Sequence, residues 1–217
     1  MAKDEQSEKE HFNKLLENAD LDNNRFYPTL LAHPDHALLE TGISMLGNLK
    51  GKKILLLWCG AGKEAWYFVE QGAKVVGLDI SFNYLRIGMY GSKKHKYDNN
   101  ASFTCMSCYT MGFKDETFDC IFGHAILHHL DLEKTKNELY RILKKGGQAV
   151  FTEPLDSNLF LTFARDHLPY PGKHRLQGEK AITYKDIKYI STSFGSCQCR
   201  ELQLFSMLVR VIPNETF

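Results

Sequence analysis

Residues 53–81 read KILLLWCGAGKEAWYFVEQGAKVVGLDIS. From Lys53 to Trp58 the apolar run Ile54-Leu55-Leu56-Leu57 is short and unbroken, bounded by charge and glycine, as a parallel strand buried on both faces requires. It stops at the turn Cys59-Gly60-Ala61-Gly62. Helical spacing follows through Ala65, Trp66, Phe68 and Val69 to Gly72, a natural C-terminal stop. Lys74 to Ile80 is a second buried strand, closed by Ser81 as a helix N-cap. This is one βαβ unit.

The alternation continues outward. A strand is expected near Ser102 to Met106 and another over Phe118 to Phe122. A helix from Asp131 to Leu143 ends at Lys144-Lys145-Gly146-Gly147 and leads into a strand from Gln148 to Thr152. Strands alternating with helices make a doubly wound α/β fold, a mostly parallel sheet with helices on both faces. Upstream, Phe12, Leu15 and Leu16 mark an amphipathic helix between Asp4 and Asn18. A second begins at Pro34 and Asp35 and runs through Leu39, Ile43 and Leu46 to Gly47. The chain therefore divides into N-terminal helices over 1–50, placed to serve as a lid, and a core domain over 51–217. Past Pro154 the expectations are helices at Leu159 to Leu168 and Lys185 to Thr192, then a strand-like run from Cys199 to Ile212, with the natural chain continuing beyond Phe217.

Composition limits the functions. The 217 residues suffice for one domain with a substantial core, and 27 Lys+Arg against 26 Asp+Glu leave a net charge of +1. Without a global positive field, nucleic acid is disfavoured as a partner. Met1 to Glu10 is charged and holds no apolar segment of the signal type, and no stretch is apolar enough to span a membrane, so a cytoplasmic protein is expected. The cysteines at 59, 105, 108, 120, 197 and 199 are expected to be free thiols. Cys105 and Cys108 with Cys197 and Cys199 resemble a zinc site, but the second pair is too closely spaced. Cys105, inside a strand, reads instead as a small buried hydrophobe, and no metal is expected.

In an open parallel sheet, ligands bind beyond the carboxyl ends of the strands, where strand order switches. Gly60 and Gly62 allow the backbone to bend tightly and approach a ligand, with free N–H groups at the helix start. Asp79, seventeen residues after Gly62, ends the second strand where a carboxylate can accept from ribose hydroxyls. This constellation predicts a nucleotide-like ligand. A dinucleotide such as NAD stays open, although Ala65 stands where its fingerprint prefers a third glycine.

Lys53 to Pro154 resembles the class I S-adenosylmethionine (SAM)-dependent methyltransferases of small-molecule type. The matching blocks are Ile54 to Gly62, Gly77-Leu78-Asp79-Ile80-Ser81, Phe118-Asp119-Cys120-Ile121, Leu127-His128-His129-Leu130 and Arg141 to Gly147. The resemblance implies a Rossmann-like, seven-stranded type of sheet, SAM as methyl donor (its product being S-adenosylhomocysteine, SAH) and a small-molecule acceptor, with oxygen or nitrogen favoured over carbon. It implies a cofactor site of Trp58, Cys59, Gly60, Gly62, Asp79, Ile80, Ser107, Cys108 and His124. Three positions depart from the family pattern: Leu56 replaces an acid, Trp58 a glycine, and Ser107 a second acid. These substitutions make a weak or inactive SAM-fold interaction protein an alternative to the enzyme. Because the donor's sulfonium activates the methyl, the protein has mainly to align the acceptor. His124 is the expected general base, and His128 and His129 are expected in the following loop, one ring packed and the other solvated.

Overall fold

The computed structural model describes residues 5–17, 36–156 and 181–201. Its elements, in chain order, are α1 (Glu5–Leu15), α2 (His36–Ser44), β1 (Lys53–Leu57), α3 (Lys63–Glu70), β2 (Lys74–Asp79), α4 (Phe82–Lys94), β3 (Ala101–Cys105) and β4 (Phe118–His124). They continue with α5 (Leu132–Ile142), β5 (Leu143–Thr152) and α6 (Tyr184–Ser191). The described strands form one sheet in the order β3-β2-β1-β4-β5, and every pairing is parallel. The chain winds outward from β1 to β3, then returns to place β4 on the other side of β1. That return creates the switch point between β1 and β4.

The unbroken apolar run in β1 is explained by burial on both faces. Ile54 and Leu56 pack with Leu39 and Ile43 of α2, Leu46 of the turn after it, Ala65 and Phe68 of α3, and Phe122 of β4. Leu55 and Leu57 face the opposite way, toward Ile121, Leu139, Ile142 and Ile190. Side chains alternate across a strand, so a strand covered by helices on both sides must be apolar at every position. The caps lie where the sequence places them: the Ser81 hydroxyl accepts from the Tyr84 N–H, and the Asp131 carboxylate accepts from Glu133 and Lys134 N–H. Thr183 and Asp186 form a reciprocal capping box on α6.

Two local expectations need correction. The stretch Lys144-Lys145-Gly146-Gly147 is no turn, for β5 begins at Leu143, directly after α5. Gly146 takes a left-handed φ of 74°, and the register shifts between Phe118 and Cys120, so the two glycines sit in a bulged strand start. Lys144 is fixed there by an ion pair to Asp119 Oδ1 at 2.8 Å, while Asp119 Oδ2 accepts from the Lys53 N–H. The Lys144 contact, with the Lys53 N–H second, holds the Asp119 carboxyl below its ordinary range. Cys105 is exposed, not buried, because it ends β3, an edge strand among those described. The helix at Leu159 to Leu168 and all but the first residues of the run from Cys199 to Ile212 lie outside the described residues; Cys199 to Glu201 form no strand.

The link from β3 to β4 lacks a crossover helix and is held by Arg141. Its guanidinium donates to both Glu138 oxygens, to Asp115 Oδ1 and to the carbonyls of Phe113 and Met111, all at 2.7–2.9 Å. A planar fork of donors suits this arrangement, and a lysine does not. Arg141→Met is expected to lower the unfolding free energy by about 2 kcal/mol, with Arg141→Lys recovering less than half. Urea unfolding checks this; a loss under about 0.5 kcal/mol for the Met variant would show that the link holds without the guanidinium.

Candidate functional site

The turn after β1 opens a cavity of about 430 Å³, within the usual span for small-molecule sites, beyond the carboxyl ends of β1, β2 and β4. Leu56, Leu57, Trp58, Cys59, Gly60 and Ala61 line it from the turn, Lys63 and Glu64 from the start of α3, and Asp79 from the end of β2. Phe12, Tyr84 and His124 complete the wall. Gly62 caps α3 in the left-handed region, φ 75°. A Cβ there would lie 2.7 Å from the Phe103 ring, so both backbone and packing demand glycine.

Asp79 is buried, and both its oxygens accept backbone hydrogen bonds: Oδ2 from the Gly60 N–H and Oδ1 from the Ser81 N–H, each at 2.8 Å. The carboxylate thus ties the glycine turn to the start of α4. Burial pushes its pKa up to about 6 against the opposing pull of those N–H groups. Each carboxylate oxygen has a second acceptor position, so Asp79 can still receive hydroxyl donors from the cavity.

Trp58 does not turn into the helix layer; it lines the cavity. Its φ is 52°, left-handed backbone that costs a bulky residue about 1–3 kcal/mol. The ring stacks on His129, centroids 5.4 Å apart, and meets the Phe12 ring edge-on at 5.8 Å. Its indole N–H lies beside the Cys108 sulfur, favouring the thiolate, without making a hydrogen bond of ordinary geometry. Burial dominates at Cys108, with the Asp79 charge second, and holds its thiol well above the ordinary range.

His124 ends β4, its Nδ1 sharing a 2.7 Å hydrogen bond with Thr152 Oγ1. Ala125 beyond it is left-handed, φ 51°, so strained residues follow both strands of the switch point. The loop is then fixed by Glu153: Oε1 accepts from the Ile126 and Leu127 N–H groups, and Oε2 meets His128 Nδ1 at 2.7 Å. The expectation of one packed and one solvated histidine fails. His128 is buried, and His129 is mostly covered by Trp58 and by an ion pair to Glu8 of α1 at 3.4 Å.

The sequence-predicted residues are only partly brought together. Trp58, Cys59, Gly60, Asp79 and His124 share the cavity wall. Gly62, Ile80, Ser107 and Cys108 do not line it: Ser107 Oγ accepts from the Tyr109 N–H, and the Cys108 side chain belongs to the core. Sequence reasoning missed Tyr84, Lys63, Glu64 and Glu153. An acid in a first helical turn reads as ordinary dipole compensation, which hides Glu64. Among the described residues no group of His, Cys, Asp and Glu could hold a metal ion, and no helix is long and apolar enough to cross a membrane.

Residues 56–151 match the family model described as a methyltransferase domain. The chain is 30% identical over 140 residues to demethylmenaquinone methyltransferase of Lactococcus lactis, covering 59% of this chain and 54% of that protein. It is 24% identical to the ubiquinone/menaquinone biosynthesis C-methyltransferase of Hahella chejuensis, over 77% of this chain and 76% of that one. The chain thus spans about half to three quarters of the length of these relatives. In fold it is similar to the geranyl diphosphate C-methyltransferase of Streptomyces coelicolor, a structure with bound SAH, with a TM-score of 0.64 at 12% identity, covering 87% of this chain and 77% of that one. The NAD alternative gives way to these findings: the turn, the acid-ended second strand and the blocks after them, within residues 56–151, form a methyltransferase domain of the SAM-dependent type.

Proposed function

We propose that the protein methylates a carbon atom of a small, electron-rich acceptor, with SAM as donor, in the cytoplasm. The observation that carries this reading is the cavity itself, lined by Asp79, by Cys59, Gly60 and Ala61 of the glycine turn, and by His124 at the end of β4. The residues fit SAM: Asp79 has acceptor capacity left for a ribose diol, and at Gly60 a Cβ would meet only the Tyr84 ring, at 3.8 Å, so the turn is open to close approach. When bound, SAM supplies an activated methyl on a sulfonium. Carbon replaces the earlier preference for oxygen or nitrogen because the Hahella relative is by name a C-methyltransferase.

A carbon nucleophile needs electron release from a neighbouring group. A hydroxyl on an aromatic ring supplies it once its proton is drawn away, and we assign that proton to the His124 ring, whose contact with Thr152 supports the assignment. The apolar and aromatic wall of Phe12, Leu56, Trp58 and Tyr84 suits a ring and excludes water. We read α1 as the lid. Ser81 Oγ donates to Asn13 Oδ1 at 2.9 Å, Asn83 Nδ2 donates to the Asn13 carbonyl at 2.7 Å, and Leu16 is buried with Ala61 and Ile87. Leu56 and the intruding Trp58 ring favour a second reading, an interaction protein of this fold that has lost SAM. Calorimetric titration separates the two: heat with SAM and SAH but none with NAD supports the enzyme, and no heat with any of them selects the interaction protein.

SAH affinity is expected to fall as pH drops through about 6, because a neutral Asp79 is a poorer acceptor for hydroxyls than the carboxylate. At neutral pH, Asp79→Asn should cost about 10- to 100-fold in Kd, with a smaller pH dependence than the parent. Unchanged affinity in this variant would remove Asp79 from the site. With reduced demethylmenaquinone as acceptor, His124→Ala is expected to lower turnover by about 100-fold or more while SAH affinity stays within about threefold. An unaltered rate and pH profile would end the base assignment.

A further inference from the structure

Glu64 is the cavity's other carboxylate, and the reading above gives it no task. It lies in the first turn of α3, is 9% exposed and lines the cavity together with Leu56 and Asp79. Among the described residues no lysine, arginine or histidine forms an ion pair with it; Lys63 exerts only a weak pull. A carboxylate withdrawn from water without a cation is costly, and buried charges are ordinarily paired. Burial accordingly raises its pKa, against its own backbone N–H. Asp79 differs, because its oxygens are engaged by neutral N–H donors and suit further neutral donors such as hydroxyls.

We propose that Glu64 pairs with the ammonium group of the methionine portion of SAM, supplying from the helix start the negative charge that the apolar Leu56 leaves absent from the strand. The inference rests on SAM being the ligand. It makes the buried anion a recognition element for a cationic ligand group and gives the site two carboxylates with separate duties.

The test compares SAM, SAH and 5′-methylthioadenosine, which keeps the adenosine and thioether but has neither ammonium nor sulfonium. Glu64→Gln, nearly isosteric, is expected to weaken SAH and SAM alike by about 10- to 100-fold while methylthioadenosine binding changes less than about twofold. Unchanged SAH affinity overturns the proposal, as does equal loss for methylthioadenosine, which would place Glu64 against the adenosine or in the fold. Loss for SAM with SAH retained also overturns it, because the sulfonium would then be the partner. Failure of the parent protein to bind any of the three removes the SAM reading itself and this inference with it. Should the Gln variant not fold, Glu64→Asp carries the test. With its charge kept, the preference for SAH over methylthioadenosine persists, and disappearance of that preference overturns the pairing.

Discussion

The site depends on the Asp79 carboxylate and its hydrogen bonds to two turns at once. One oxygen holds the Gly60 N–H after β1 and the other the Ser81 N–H before α4. Besides this clamp the glycine turn is held by the Cys59 N–H to the Leu78 carbonyl at 2.9 Å and by the Gly62 N–H to the Cys59 carbonyl at 2.7 Å. The clamp works because β1 and β2 are adjacent and in register, Leu57 beside Leu78, which brings the end of one strand under the turn of the other. Burying a carboxylate there carries a desolvation cost, seen in its raised pKa. Ligand hydroxyls would offset part of that cost, so the same group serves as scaffold and as acceptor.

Much of the fold was legible because its determinants are local. The double-faced apolar run of β1, the glycine stop at Gly72 and the caps at Ser81 and Asp131 each depend on a few neighbouring residues. The start of β5 was not legible. Lys144-Lys145-Gly146-Gly147 has the composition of a helix end, and what makes it strand is pairing across the sheet with β4, where Phe118 lies beside Leu143 and Cys120 beside Gln148. Cys105 shows the same limit: whether the end of a strand is covered depends on strand order, which no local pattern encodes.

For the candidate site, the presence of Gly60, Asp79 and His124 on the cavity wall was readable because the sequence places them at or just after strand ends. Gly62 was readable for the turn, yet it works through backbone conformation and its closeness to Phe103, not as cavity wall. Glu153 has a role that was not readable in the sequence. It orders the loop after β4 from the far end of β5, through two N–H groups and His128, a linkage that exists only once the strands pair. The assignment of Ser107 and Cys108 rested on alignment to a family pattern, and here their side chains serve the local turn and the core.

Trp58 is one of only two tryptophans, and it alone of the two lines the cavity. Its indole stacks on the His129 imidazole, which also meets the His128 ring and Glu8 of α1, so its electronic surroundings combine cavity, loop and N-terminal helix. The near-ultraviolet emission of this ring is therefore a built-in optical gauge of the site, sensitive to movement of α1 and to anything that enters beside the glycine turn.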